Sequence, residues 1–180
     1  NESFQAWYYE NHGLNFSQDP DFEHQVRCVD EYVRTVRFKY TLDQANYVSY
    51  DHIASIDDIL ASEDAQGYWH DDCDGISVMT SSFLIFLGFE NTYISEVTYH
   101  YHTMVYKDGI NPKTKEGYLQ GIALYRGRVL NVSEGLSDHV SYYMWNQTDM
   151  FIPEGRPLWR SIGEIFTDRN VWRFDILEIY

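Results

Sequence analysis

The chain has 180 residues, 44% of them hydrophobic and 23% charged, which describes one ordinary globular domain able to bury its own core without disulfide or metal staples. Its net charge of -15 repels phosphate backbones and anionic lipid, so nucleic acid and anionic membranes are not expected as partners. No apolar run approaches the ~20 residues that span a bilayer, so no membrane insertion is expected.

The chain opens at Asn1 with neither an initiator Met nor an apolar leader, which suggests a trimmed or mature form, with any targeting signal out of sight. N-x-S/T triplets, among them those at Asn15, Asn131 and Asn146, lean towards an extracellular or cell-surface origin. Aromatic side chains make up 17% of the chain and favour large packed contacts or an aromatic-lined groove. Two cysteines, Cys28 and Cys73, are too few for a disulfide scaffold and form no C-x-x-C pair. Nothing in the sequence sets an oligomeric state or a domain boundary.

Residues 1–18 are aromatic and polar without a clear period. Asp19-Pro20-Asp21 reads as a helix start, with Asp19 as cap and Pro20 in the first turn. Phe22, Val26, Val29, Val33 and Val36 then recur at spacings of four and three, which predicts one apolar helix face with Cys28 beside it. Residues 41–54 are irregular. A short helix is expected over 56–61, with Ile56, Ile59 and Leu60 inward. Asp71-Asp72 caps a longer helix from Cys73 to Leu87. Its second half, Phe83-Leu84-Ile85-Phe86-Leu87, is apolar on every side and predicts a buried helix, and Gly88 stops it.

Beyond Gly88 the pattern turns to strand: 92–106, then 118–125 and 128–133 joined through Arg126-Gly127. Asp108-Gly109 opens a polar excursion to Gly117. A short helix is expected over 159–166 and a last strand over 171–180. Helices first and an antiparallel sheet afterwards give an α+β fold.

The chemistry centres on Trp69-His70-Asp71-Asp72-Cys73-Asp74-Gly75. A cysteine in the first turn of a helix gains from the positive helix terminus, which favours the reactive thiolate. Its backbone N–H can also face a developing oxyanion. Three neighbouring aspartates oppose thiolate formation, so a cationic partner is needed. His100 and His102 share one strand face in Tyr99-His100-Tyr101-His102 and are the candidates. A Cys–His pair is commonly oriented by a third polar group: Asn131, with Glu134 and Asp138 as substitutes. Gln66 and Trp69 carry N–H donors upstream of the cysteine and are oxyanion candidates. Read as a calcium loop from His70, the acidic segment has Asp72, Asp74 and Gly75 in register. It lacks the first acid and the last bidentate Glu, so these carboxylates are expected to be caps and solvated charges.

Taken in order, Tyr32-Val33-Arg34, Asp58-Ile59-Leu60, Asp72-Cys73-Asp74-Gly75, Leu87-Gly88-Phe89, His102-Thr103-Met104-Val105 with Asp108-Gly109, and Leu130-Asn131-Val132 resemble the transglutaminase-like superfamily of cysteine enzymes. The resemblance covers about residues 22–133, and residues 134–180 form a C-terminal extension. It implies a papain-like core with the nucleophile at the start of the buried central helix. Cys73 would be nucleophile, His102 general base and acid, and Asn131 orienter, with no cofactor. The family ordinarily has an aromatic residue where Met104 stands and Asp where Asn131 stands. The implied reaction is acyl transfer, hydrolysing a peptide or isopeptide bond of a protein or peptide substrate. The rival from another class is an inactive domain of the same type that binds protein or glycan. Cys28 is expected to be unreactive and unbridged to Cys73.

Overall fold

A computed structural model describes residues 2–47, 52–97, 100–111, 117, 120–125, 128–131, 162–166 and 171–173. The described residues mix helix and strand in an α+β arrangement. Helix α1 (Glu2–His12) precedes a 3-10 turn at Phe16–Gln18. Helix α2 (Phe22–Glu31) runs into a π-helical turn, Tyr32–Arg37, and strand β1 (Phe38–Tyr40). Short helices α3 (Asp43–Asn46) and α4 (Ile56–Ala61) follow, then strand β2 (Trp69–Asp71) and the long helix α5 (Cys73–Phe86). Strands β3 (Thr92–Val97), β4 (His100–Val105), β5 (Ile122–Tyr125), β6 (Arg128–Asn131), β7 (Ile162–Phe166) and β8 (Val171–Arg173) complete the described chain.

The last six strands form one sheet in the order β6-β5-β4-β3-β7-β8, antiparallel at every pairing. Helix α5 lies across β4 and β3, and α2 packs on α5. Strands β1 and β2 pair in parallel, Phe38 with Trp69 and Tyr40 with Asp71. That small ribbon delivers the chain to the start of α5.

Helix α1 is the element that sequence periodicity misses, because aromatic residues lie on several of its faces. Phe4 and Tyr8, four apart, are fully buried. The Phe4 ring packs against Phe16, Tyr32 and Phe83. Gly13, at φ 71, ends the helix in a left-handed conformation that glycine adopts cheaply.

Helix α2 starts two residues later than expected. Its cap is Asp21, whose carboxylate accepts from the backbone N–H groups of Glu23 and His24, while Asp19 is drawn to the Tyr8 hydroxyl and the His24 ring. The predicted stripe buries Val26, Val29 and Val33 but leaves Val36 36% exposed, since the π-helical turn rotates the face there. In α4 only Ile59 is buried; Ile56 and Leu60 are exposed.

Helix α5 reverses expectation in detail. Asp72 caps it and Gly88 follows its end at φ 100, as read from sequence. However, its first half is the buried half, and Phe86 is 70% exposed. The helix sits on the sheet through small hydroxyl residues. Thr103 of β4 donates to the Ser77 carbonyl at 3.1 Å and lies 3.0 Å from the Ser81 hydroxyl. With its single proton spent on Ser77, Thr103 accepts from Ser81. All three residues are buried.

Of the expected strands at 118–125 and 128–133, the structure shows Ile122–Tyr125 as β5 and Arg128–Asn131 as β6, with residues 120–121 preceding β5 and 118–119 and 132–133 outside the described residues. Residues 162–166, expected as helix, are strand β7 on the edge of β3. Gly163 weakens a helix there, and Ile162, Ile165 and Phe166 suit a strand once β3 offers a partner. Arg126-Gly127 and residues 159–161 and 174–180 lie outside the described residues.

Candidate functional site

The segment from β2 into α5 explains why Asp-Cys-Asp-Gly is spelled as it is. Asp71 is fully buried; its carboxylate accepts from the Tyr47 hydroxyl at 3.0 Å and from the Asp72 N–H at 2.8 Å. One turn on, a Cβ on Gly75 would stand 2.5 Å from Asp71 Cγ, so the carboxylate occupies the space that any other residue would need. Asp72 accepts from the Asp74 N–H. Asp74 in turn accepts from the Ala54 N–H at 2.7 Å, tying the segment before α4 to the start of α5. Burial, with a proton shared towards Asp72, pushes the Asp74 carboxyl up to about 8.

Acceptor atoms of Asp43, Asp71, Asp72 and Asp74 lie within 4.8 Å of one another. Protein donors claim three of these side chains besides Asp72: the His52 N–H for Asp43, Tyr47 for Asp71 and Ala54 for Asp74. The cluster acts as a set of caps and braces around the helix start.

Cys73 is the first residue of α5 and is half-buried. Burial pushes its thiol up to about 12, a hydrogen bond from the Tyr101 backbone pulls the other way, and the charges of Asp72 and Asp74 push up again. Desolvation outweighs the helix terminus here, so the resting group is a neutral thiol. Cys28 and Cys73 are both free, and Cys28 is buried.

The structure brings β4 against the start of α5, but not with the histidine face inward. Thr103 points at α5, and Val105 and its β5 partner Ile122 belong to the core on that same side. Side chains alternate along a strand, so His102 points to the other face of the sheet, with Met104. His102 is 1% exposed there, and burial brings its imidazole down to about 4. Cys73 and His102 therefore belong to neighbouring elements with their side chains on opposite sides of β4.

Asn131 ends β6 and is opposite Ile122, which is opposite Val105. It is thus two strands across from β4 and three residues along from His102. With strands ~4.8 Å apart and a rise of ~3.3 Å per residue, the two backbones are separated by roughly 14 Å, beyond the reach of an orienting hydrogen bond. His100 opens β4, and Glu134 and Asp138 lie outside the described residues.

The upstream donors are also engaged or remote in role. The indole N–H of Trp69 donates to Glu63 at 2.9 Å and the ring lies under Arg37, which makes Trp69 a packed core residue. Gln66 sits exposed in the turn before β2, its backbone N–H given to Asp64.

An open groove of about 680 Å³ lies at the other end of α5, lined by Phe16, Phe22, Phe89 and Tyr106 with Gln25 and Lys107. A 14-residue helix puts it roughly 20 Å from Cys73. Phe86, mostly exposed, also borders it. Sequence reasoning found the aromatic excess but not this grouping, since its rings come from four stretches of the chain, around Phe16, Phe22, Phe86 to Phe89 and Tyr106.

Compared with known families and characterised proteins, the chain matches no protein-family model and no curated relative. Among the described residues, no helix is long and apolar enough to cross a membrane.

Proposed function

We propose that this chain is a transglutaminase-like, papain-type domain that binds a protein partner and no longer assembles a Cys–His centre. The single observation that carries this reading is the alternation along β4, which turns Thr103 to α5 and His102 away from Cys73. A neutral thiol and a neutral imidazole on opposite faces of a strand cannot exchange a proton directly.

The groove supports a protein ligand over a glycan. Phe22, Phe86 and Phe89 offer grouped ring surface that suits an apolar side chain of a partner, and Gln25, Lys107 and Asp108 beside them can meet its polar backbone. The acidic surface favours a partner presented from a basic face.

A second reading is favoured by the placement of Cys73 itself. It is only half-buried at the first position of the central helix, where its own N–H and the helix terminus favour a developing oxyanion. In that reading Cys73 attacks an amide carbonyl, the amine leaves with a proton, and water resolves the acyl-enzyme to regenerate the thiol.

One experiment separates the two. Iodoacetamide is expected to label Cys73 no faster than a free model thiol near neutral pH, with the rate still rising well into the alkaline range. No amide should be cleaved across a broad peptide panel. Rapid labelling at neutral pH, with turnover that Cys73→Ser removes and Cys28→Ser leaves intact, would establish the hydrolase instead.

A further inference from the structure

Where the end of α1 meets α2, at the edge of the core to which Cys28 belongs, His12, His24 and Cys28 converge. The Cys28 sulfur lies 3.3 Å from His12 Nε2 and 3.5 Å from His24 Nε2. The three donor atoms all lie within 4.8 Å of one another. The two rings are perpendicular, with centroids 4.8 Å apart.

We infer that His12, His24 and Cys28 form a site for a thiophilic divalent transition metal, zinc(II) in the first instance, that staples α1 to α2. The inference does not depend on the chemistry of Cys73. Zinc takes nitrogen at ~2.0–2.1 Å and thiolate at ~2.3 Å in tetrahedral array, which sets sulfur and nitrogen ligands roughly 3.5 Å apart. The sulfur–nitrogen distances observed match that separation.

The local sequence builds the site simply. His24 and Cys28 are four apart on α2 and so project side by side. His12 is the last residue of α1 and reaches across from the neighbouring helix. His24 is held from behind: its Nδ1 is 2.5 Å from an Asp19 carboxylate oxygen, and the Tyr8 hydroxyl bonds the same oxygen. With Nδ1–H donating to that carboxylate, the Nε2 lone pair faces the sulfur. That carboxylate–histidine pairing is the usual support behind a zinc ligand.

Two imidazoles and one thiol select a borderline or soft ion over magnesium or calcium, which take oxygen donors. Cys28 is buried, whereas the His24 side chain is 36% exposed, so an ion can enter from the His24 side and keep a water as fourth ligand. On binding, Cys28 loses its proton to solvent and a metal–sulfur bond replaces the S–H; no redox change is involved.

The test uses tag-free, chelator-treated full chain titrated with cobalt(II), then zinc(II). Cobalt(II) is expected to give a near-ultraviolet thiolate charge-transfer band that saturates at one equivalent. Zinc(II) should abolish the band by displacement, whereas excess magnesium(II) should not. Cys28→Ser removes the band, His12→Gln or His24→Gln weakens binding severely, and Asp19→Asn weakens it by about 10–100-fold. Cys73→Ser leaves the band intact. No band in the folded wild-type chain would overturn the site, which keeps the test decisive even if Cys28→Ser fails to fold. A band lost in Cys73→Ser would also overturn it.

Discussion

His102 shows how a single side-chain direction decides what a histidine can do. Its ordinary value of 6.5 falls to about 4 in the buried position, because a cation there would be stripped of water. The sign follows directly. Above pH ~6.5 both folded and unfolded chains hold a neutral imidazole, and the group has no effect on stability. As pH falls from 6.5 towards 4, the unfolded chain takes up the proton and the folded chain does not, so stability is lost across that window. His102→Gln should flatten this part of the acid limb in denaturant unfolding measured at a series of pH values. An unchanged slope would mean that the imidazole is solvated in the folded protein. Gly75 makes the complementary point: its motif glycine reads as a family mark, yet the contact with Asp71 shows a steric reason that no sequence spacing conveys.

At the scale of elements, α5 and β4 are joined by hydroxyl groups where sequence patterning leads one to expect aliphatic packing. The Ser77, Ser81 and Thr103 network allows close approach, and it also fixes which face of β4 meets the helix. Thr103→Val keeps the shape but strands two buried partners, which should cost about 1–2 kcal/mol. Thr103→Ser should cost less, because the hydroxyl bonds remain. Urea midpoints compare the two; a larger loss in Thr103→Ser than in Thr103→Val would show that the methyl group, and not the hydroxyl, seats the helix. Caps and stops were legible because they are local: Asp72 and Gly88 act on α5 through the nearest turn. The burial of the first half of α5 was not, since it depends on β3 and β4 arriving from later in the chain.

Across the whole molecule, 28 acidic residues face 13 basic ones. Several pairs, Arg27–Glu23 and Lys39–Asp64 among them, are exposed and contribute little individually. Net repulsion should therefore dominate the response to salt. Raising ionic strength from about 0.01 M to about 0.15 M shortens the screening length from ~30 Å to ~8 Å. A gain on the order of 1 kcal/mol would raise the thermal midpoint by about 2–4 °C. Calorimetry in low and moderate KCl checks it, and a falling midpoint would show that the attractive pairs outweigh the net charge.

The sequence by itself determined what short-range physics controls. The capped helix at Cys73, the strands after Gly88, the helix at 56–61 and the α+β order all follow from caps, periods and turn residues acting over a few positions. The pairing of distant segments was decided only in three dimensions. Alternation is readable within β4, but which of its two faces meets α5 is not. Nor does any spacing announce that β5 separates Asn131 from β4, or that His12 closes on His24 and Cys28. The i,i+4 signal of His24 and Cys28 was present in the sequence, but its third member arrives from another helix, and only tertiary packing brings the donors together.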